Sequence, residues 1–144
     1  MNVYVDSSAL VKLLIAEPES EELLQRLSQE KLFTCRVSYA ETRAAIARRA
    51  REAPERAQEW TEARNHLDAD WGGIRIIEVV QSLVLCAGEF ADVFALRGYD
   101  SIQLAAGHMA HTAAMEDMSF CSFDRRLNRA ARLLGLHLLE GVWL

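Results

Sequence analysis

The chain has 144 residues and a net charge of −5, and 51% of its residues are hydrophobic. This length fits one domain with a sizeable core, and the presence of only two prolines argues against a linker or a disordered region. Non-specific nucleic-acid binders are usually basic, so the acidic balance argues mildly against that class of protein.

Short apolar runs alternate along the chain with stretches of helical periodicity. The predicted strands cover residues 2–5, 32–37, 74–80, 119–123 and 136–139. The predicted helices cover 7–16, 18–30, 38–52, 54–70, 81–97, 101–115 and 125–134, and Gly98 and Gly135 are predicted to end the fifth and the last. In the second helix, Leu23, Leu24 and Leu27 are predicted to point inward. The alternation predicts an α/β fold, a three-layer α/β/α arrangement around a mostly parallel sheet of about five strands.

Cysteine usage and hydropathy indicate the compartment. Cys35, Cys86 and Cys121 each lie in an apolar stretch without metal-type spacing, which is typical of buried, reduced thiols. No apolar stretch reaches the roughly 18 residues of a membrane-spanning helix, and no signal peptide precedes the first predicted strand. We therefore expect a cytoplasmic protein without a membrane segment.

Four carboxylates stand where strand-like runs meet helix-like runs. They are Asp6, Glu41, Asp100 and Asp124. In an α/β protein the strand ends on one edge of the sheet converge to form the ligand site. Several acids that meet there offer the hard oxygen ligands that suit Mg²⁺ or Mn²⁺. The pattern therefore predicts a metal-dependent site for phosphoryl transfer, most simply that of a nuclease.

Each acid also has a purely structural interpretation. Asp6, Asp100 and Asp124 can be N-caps of the helices that follow them. Ser38-Tyr39-Ala40-Glu41 fits a capping box, in which Glu41 reaches back to the cap, although Ser38 can also cap while Glu41 points into the cleft. A helix N-terminus lowers the pKa of a nearby carboxylate, so these acids should be ionised, whereas clustered acids raise one another's pKa. A divalent cation relieves that repulsion, so the cluster makes physical sense mainly with a metal.

Four stretches of the chain, in this order, resemble the PIN domain family, and within it the VapC-type toxins of bacterial toxin–antitoxin pairs. They are VYVDSSALVKLL, VSYAETRAAIARR, LRGYDSIQLAAG and FCSFDRRLNRAARLLGL. The resemblance covers essentially the whole chain, so it implies a single PIN domain over residues 1–144. It also implies a Mg²⁺-dependent endoribonuclease that a small VapB-like antitoxin from the same operon inhibits, and dimers are frequent in the family.

The resemblance carries over to individual positions. It assigns metal binding and catalysis to Asp6, Glu41, Asp100 and Asp124. Ser7 and Ser122 lie close to positions where the family often has Thr or Ser, and Ser38 is a third candidate supporting hydroxyl. Gln103 stands where many relatives have a histidine, and we expect this difference to leave the chemistry unchanged. Family precedent suggests products with a 5′-phosphate and a 3′-hydroxyl.

Positive charge is concentrated in two clusters in spite of the acidic balance. They comprise Arg43, Arg48, Arg49, Arg51 and Arg56, and then Arg125, Arg126, Arg129 and Arg132. Any single arginine is more simply part of a solvated helix face. The candidates for contact with RNA or with an antitoxin are Lys12, Arg43, Arg48 and Arg125. The two leucine-rich helices at the start of the chain are the predicted antitoxin surface.

Other functions remain as alternatives. A phosphotransferase of the haloacid dehalogenase type also begins with a strand and an Asp, but it needs a second Asp where this chain has Ser8. A receiver domain expects an acidic pair and a late lysine that are missing here. A non-catalytic PIN-fold interaction module and another metal-dependent phosphohydrolase stay open. Asp92 and Glu89 are predicted to face solvent, and Asp117 is predicted to lie in a loop.

Overall fold

A computed structural model describes residues 1–114 and 117–141 of the chain. Its strands are β1 (Asn2–Val5), β2 (Lys31–Cys35), β3 (Arg75–Ile77), β4 (Met118–Cys121) and β5 (His137–Leu138). They lie in the order β3-β2-β1-β4-β5, and every neighbouring pair is parallel. All residues of β1 and β4 are buried, as expected for strands with a helical layer on each face. The predicted sheet is thus confirmed.

Helices cover both faces of this sheet. They are α1 (Ser7–Leu14), α2 (Ser20–Leu27), α3 (Ser38–Glu52), α4 (Ala57–Asp70), α5 (Gln81–Phe94), α6 (Gly98–Ala113) and α7 (Arg125–Leu133). On one face, Tyr4 and Phe120 of the sheet pack in a core with α5, α6 and α7. On the other face, Val3 and Val5 pack with α1 and α2. Along the described stretches, no helix combines the length and the apolar character that crossing a membrane requires.

A third, smaller core joins α3 and α4 to the end of α1. It contains Ile15, Ile46, Trp60 and Ala63, all buried. The indole N–H of Trp60 donates a hydrogen bond of 2.8 Å to the carbonyl oxygen of Ala53, which fixes the turn between α3 and α4. Trp60 thus points into this core and is 5% exposed. These contacts hold α3 and α4 as a pair beside the main sheet.

Several element boundaries differ from the sequence prediction for identifiable reasons. α2 begins two residues later than predicted, at Ser20, because Glu19 takes a left-handed φ of 70°, and it ends three residues earlier than predicted, at Leu27. The prediction that Gly98 ends α5 is wrong. Ala95 ends it in the left-handed region, with a φ of 52°, and Gly98 is the first residue of α6. The predicted end of α6 at Met115 lies outside the described residues. Gly135 follows the last helix with a φ of 83°, as predicted.

The inward leucines of α2 are confirmed in part. Leu23 and Leu27, which are four residues apart and share one face, are buried in the core of α1 and α2. The prediction for Leu24 is wrong, since it is 50% exposed. Its position next to Leu23 places it to one side of the buried face. Two of the three leucines of this helix therefore pack in the core, and the third does not.

Gly107 marks the closest approach of α6 to the sheet. The rings of Tyr4 and Phe120 stack with centroids 5.6 Å apart, and a Cβ at Gly107 would lie 2.7 Å from the Phe120 ring. We expect Gly107→Ala to lower the free energy of unfolding by about 1–3 kcal/mol, because the extra methyl overpacks this contact. Urea unfolding followed by circular dichroism measures the difference.

The matched control is Gly88→Ala in the middle of α5, where an added Cβ meets no atom within 4 Å. We expect this variant to be more stable than the parent by up to about 1 kcal/mol, since alanine is the better helix former. Equal unfolding midpoints for the Gly107→Ala variant and the parent would contradict the packing described for α6.

Candidate active site

The central strands deliver two of the acids to the same edge of the sheet. The register pairs Val5 of β1 with Cys121 of β4, so Asp6 and Ser122 leave the sheet at the same level. The backbone N–H of Asp6 continues the ladder by donating to the carbonyl oxygen of Cys121, at 3.1 Å. Asp124 follows two residues after Ser122. The structure therefore places these two acids together, as the sequence predicted.

Glu41 and Asp100 reach the same edge from the first turns of α3 and α6. Electrostatic repulsion connects the four acids in a ring. Asp6 is influenced by Asp124, Glu41 by Asp6 and Asp100, and Asp100 by Asp124. The convergence that the strand ends imply is thus present in the folded chain.

Asp6 is both a helix cap and a member of the acidic site. Its Oδ1 accepts the backbone N–H of Ala9 at 3.0 Å, which makes it the N-cap of α1, and the hydroxyl of Ser8 at 2.6 Å. Burial raises the pKa of Asp6 to about 6, and repulsion by Asp124 adds to it. Hydrogen bonds from Ser122, Ser8 and Ala9 lower the pKa but do not offset the burial. Both predicted effects are present, because the hydrogen bond from Ala9 in the first turn of α1 lowers this pKa and Asp124 raises it, while burial is a larger effect that the sequence did not indicate.

Asp124 is also a cap, as predicted. Its Oδ1 accepts the backbone N–H groups of Arg126 at 2.8 Å and Leu127 at 3.1 Å, at the start of α7. Ser122 orders the approach to this helix, because its hydroxyl accepts the N–H of Asp124 at 3.0 Å. The side-chain amide of Asn128 in turn donates to the carbonyl oxygen of Ser122 at 2.9 Å.

Ser8 is a supporting residue that the sequence reasoning missed. Besides donating to Asp6, its hydroxyl accepts the backbone N–H of Phe123 at 2.9 Å. Ser8 thus connects the start of α1 to the loop between β4 and α7. It thereby holds the segment that carries Asp6 next to the segment that carries Asp124. A second hydroxyl directly after Ser7, in the first turn of a helix that follows an acid, was the signal in the sequence.

The capping box that the sequence suggested around Glu41 is wrong. Val37, not Ser38, occupies the cap position of α3, and no side chain caps this helix. Ser38 is buried, and its hydroxyl lies 2.7 Å from the Thr34 hydroxyl. Glu41 instead accepts a hydrogen bond of 2.7 Å from the side-chain amide of Gln103. The carboxylate therefore points toward α6 rather than back to its own helix.

Burial is the main reason that the pKa of Glu41 is raised, and repulsion by Asp6 and Asp100 adds to it. Hydrogen bonds from Gln103 and Ser7 act in the opposite direction. Ser7, predicted as a supporting hydroxyl, therefore supports Glu41.

Gln103 is the residue whose importance the sequence reasoning underestimated. It is 1% exposed, its Oε1 accepts the Tyr4 hydroxyl at 2.7 Å, and its Nε2 donates to Ser38 at 2.9 Å and to Glu41. All its polar atoms are thereby satisfied inside the core. The signal was its spacing, since Asp100 and Gln103 are three residues apart and share one face of α6.

Asp100 is half-buried and lies in the first turn of α6. The prediction that it caps this helix is wrong, because Arg97 holds the cap position. Burial raises the pKa of Asp100, and repulsion by Asp124 adds to the effect. The positive charges of Arg97 and Arg126 lower it.

The donor set fits a divalent cation in its chemistry. Four carboxylates supply hard oxygen ligands, and three of them have a raised pKa in part because they repel one another. Within residues 1–114 and 117–141, no group of three or more Asp, Glu, His or Cys side chains stands ready to hold a metal ion. One oxygen each of Asp6, Glu41 and Asp124 is already hydrogen-bonded, so binding requires these side chains to adjust.

Two of the four cationic residues predicted to contact RNA or an antitoxin already contact other residues of the chain. Lys12 donates to Glu19 at 3.0 Å, pairs with Glu17 at 3.4 Å and lies over the ring of Phe123. Arg43 donates to the Tyr39 hydroxyl at 2.8 Å. Both are therefore engaged in contacts within the fold.

The remaining candidates from the sequence lie on the surface. Arg48 and Arg125 are exposed, and Arg48 shares a groove with Glu41. Glu89 and Asp92 face solvent, and Asp117 is exposed outside the helices and strands, as predicted.

The chain is similar to known proteins over nearly its whole length. A family model described as PIN domain matches residues 3–133. Two relatives from Mycobacterium tuberculosis, Ribonuclease VapC45 and Ribonuclease VapC49, are each 33% identical over 137 residues, which is 92% of this chain and 91% of theirs.

Two solved structures have the same fold. In the structure of VapBC2 from Rickettsia felis bound to a promoter DNA fragment, the matching chain is 13% identical, with a TM-score of 0.63 and coverage of 96% of this chain and 98% of that one. PAE2754 from Pyrobaculum aerophilum is 18% identical, with a TM-score of 0.62 and coverage of 94% and 96%.

The raised pKa of Asp6 makes stability depend on pH. A folded-state pKa of about 6 against an ordinary value of 3.8 means that the folded chain holds this proton more tightly than the unfolded chain does. The stabilisation is complete below pH 3.8 and is lost as the pH rises through 6. In metal-free buffer we expect Asp6 to lower the free energy of unfolding by up to about 3 kcal/mol between pH 4 and pH 7.

Denaturant unfolding across this range tests the assignment with Asp6→Asn, which mimics the protonated acid. We expect the variant to match the parent near pH 4 and to exceed its stability at pH 7. Asp92→Asn, at an exposed acid, should follow the parent at every pH. Parallel curves for Asp6→Asn and the parent would show that Asp6 does not carry the pH dependence.

Proposed function

The chain belongs to the PIN domain family, and from this premise we propose that it is an endoribonuclease toxin of the VapC type. The observation that carries the proposal is the convergence of Asp6, Glu41, Asp100 and Asp124 at one edge of a parallel sheet. The relatives named as ribonucleases support RNA as the substrate. We further propose that residues 1–144 form a single domain, which acts in the cytoplasm as a homodimer or as a hetero-oligomer with its antitoxin.

The four carboxylates are the groups that would hold Mg²⁺ or Mn²⁺. When bound, the cation supplies a Lewis acid that polarises the scissile phosphate and lowers the pKa of water. Asp6, Glu41 and Asp100 are suited to this task because their raised pKa reflects burial and repulsion that a positive charge relieves.

The surrounding residues orient the acids. Ser8 and Ser122 hydrogen-bond the Asp6 carboxylate, while Ser7 and Gln103 hold Glu41. These donors hold the carboxylates close to one another on rigid elements, so side-chain adjustments alone would bring their oxygens together around a cation. With water rather than the 2′-hydroxyl of RNA as the nucleophile, no 2′,3′-cyclic phosphate forms, and family precedent suggests products with a 5′-phosphate and a 3′-hydroxyl.

Cleavage of a mixed RNA pool by the purified, antitoxin-free chain tests this proposal. We expect cutting in Mg²⁺ that EDTA abolishes, and a loss of at least about 100-fold in Asp100→Asn, because an electrostatic group at the reacting phosphate is removed. Asp92→Asn replaces an exposed acid on α5 and should cut at the parent rate.

Two outcomes would count against the proposal. Equal cutting by the parent and Asp100→Asn would indicate a contaminating nuclease. A folded, Mg²⁺-loaded parent that cuts no RNA in the pool would favour the alternative of a non-catalytic PIN-fold interaction module. Hydrolysis of small phosphodiesters without RNA cleavage would favour another metal-dependent phosphohydrolase.

We also propose that a small VapB-like antitoxin inhibits the enzyme by docking on α1 and α2. A groove of about 630 Å³ lies between these helices, β2 and α4, and its apolar lining includes Leu10, Leu13, Leu24, Leu27 and Leu67. A leucine-lined groove of this kind receives the apolar face of an amphipathic helix. The exposure of Leu24, unexplained by the core of the chain itself, is accounted for if the antitoxin covers it.

Leu24→Glu should weaken the complex with the antitoxin encoded beside the toxin by at least tenfold, because it replaces buried apolar contact with a charge. The matched control is Leu85→Glu on α5, where the leucine is 61% exposed and lies outside the groove. Calorimetric titration of each variant with purified antitoxin measures the change. An equal loss of affinity in both variants, or in neither, would contradict docking at this groove.

A further inference from the structure

A second groove, of about 540 Å³, runs along α3 from the acidic site. Glu41 lies at one end, and Arg48 and Arg51 follow on the same helix with alanines between them. Arg48 lies close to two helical turns after Glu41, and Arg51 follows three residues later on the adjoining side of α3, so all three line the groove. At a rise of 1.5 Å per residue, Arg51 lies about 15 Å along the helix from Glu41.

Tyr99 of α6 forms the other wall of this groove. It is 61% exposed and directly precedes Asp100. Its ring makes no hydrogen bond or ring contact with another residue in the described ranges, so one aromatic face is available next to the acids. An available aromatic face is what a nucleic-acid base stacks upon, and such stacking tolerates any base.

The arginines of α3 differ in how far the fold already uses them. Arg49 pairs with Glu17, and Arg43 donates to Tyr39. In contrast, Arg48 is 63% exposed and has only a pair with Glu52 at 3.9 Å, which is weak at the surface. Arg51 makes no ion pair within the described part of the chain. The two arginines that line the groove are therefore those with charge to offer a ligand.

We propose that this groove binds single-stranded RNA beside the scissile phosphate. The nucleotide next to the cleaved bond stacks on Tyr99, and the phosphates that follow it contact Arg48 and Arg51. The 15 Å between Glu41 and Arg51 match about four stacked nucleotides at 3.4 Å each. The inference rests on the proposed ribonuclease function and adds the direction in which the strand leaves the acids.

Chemistry favours RNA over a protein segment at this groove. One unpaired and one weakly paired guanidinium group beside an aromatic face suit a strand of alternating phosphates and bases. The apolar part of its lining consists of three alanines and Val37, so it lacks the large aliphatic side chains that interlock with an apolar helix face. The leucine-lined groove between α1 and α2 is the better match for an apolar helix.

Fluorescence anisotropy with a labelled single-stranded RNA of about ten nucleotides tests the proposal. Binding is measured in Mg²⁺ on an Asp100→Asn parent, so that the probe stays intact. We expect Tyr99→Leu to weaken binding about tenfold and Tyr99→Phe to bind within twofold of the parent, because phenylalanine keeps the stacking face. Leu133→Ala, at a leucine 70% exposed on α7, controls for the loss of an exposed apolar side chain.

Salt dependence separates phosphate contacts from stacking. We expect Arg51→Ala to reduce the slope of the logarithm of affinity against the logarithm of salt concentration by about 0.7, the value for one phosphate contact of a single strand. Tyr99→Leu should leave this slope unchanged. Arg26→Ala, at an exposed arginine of α2, is the matched control and should leave both the affinity and the slope unchanged.

The outcomes separate this inference from the proposed function. If the Asp100→Asn parent binds the probe and the wild type cuts RNA, but the Tyr99 and Arg51 variants are unchanged, the groove inference alone fails. If these variants instead lose antitoxin affinity while RNA binding stays intact, the groove belongs to the protein partner and the inference is overturned. If a folded wild type neither binds nor cuts RNA, the ribonuclease proposal itself fails.

Discussion

A carboxylate that is only 3% exposed, at the end of the central strand, has to be stabilised by the groups around it. Asp6 accepts the N–H of Ala9 and the hydroxyl of Ser8, and Ser122 adds a third hydrogen bond. Even so, burial keeps its pKa near 6, so mild acidification from neutral pH is enough to protonate this carboxylate. The edge of the sheet is thus arranged around a negative charge that the protein alone stabilises incompletely, and the cation that we propose would complete the arrangement.

Gln103 shows how the core supports this edge without a titrating group. Its amide accepts from Tyr4 at one end and donates to Ser38 and Glu41 at the other. A neutral histidine at this position has one acceptor and one N–H donor, so it can accept from Tyr4 but donate to only one of the other two side chains. Glutamine makes all three hydrogen bonds and does not titrate, so its support of Glu41 does not depend on the protonation of residue 103.

The parts of the site that the sequence predicted correctly are those set by topology. Strand ends in a parallel sheet converge whatever the loops do, so the meeting of Asp6 with Asp124 followed from the order of the elements. The parts that failed depend on contacts between distant residues. The pattern from Ser38 to Glu41 fits a local capping box, but Gln103, 62 residues after Glu41, draws that carboxylate away. No local pattern carries this information.

The boundaries failed for a related reason. Glycine is the residue that most commonly ends a helix, yet Ala95, three residues before Gly98, is the one that adopts the left-handed conformation. An alanine accepts that strained conformation only when packing on both sides fixes the chain there. Because α5 and α6 share one core, their tertiary contacts decide where the turn lies, and the glycine opens the next helix instead.

Net charge is the property that argues most directly against a nucleic-acid substrate, but it does not describe how the charges are distributed around the acidic edge. A cation that is already paired with an acid attracts an anionic ligand only weakly. The cations of α1 and α3 fall into two groups by this criterion. Lys12 and Arg49 both pair with Glu17, so they join these helices rather than attract an anion. Arg48 and Arg51, by contrast, keep their charge beside the acidic edge. The binding of a polyanion to an acidic chain therefore depends on the weakly paired and unpaired positive charges around the site. The net charge of the sequence does not measure this local charge.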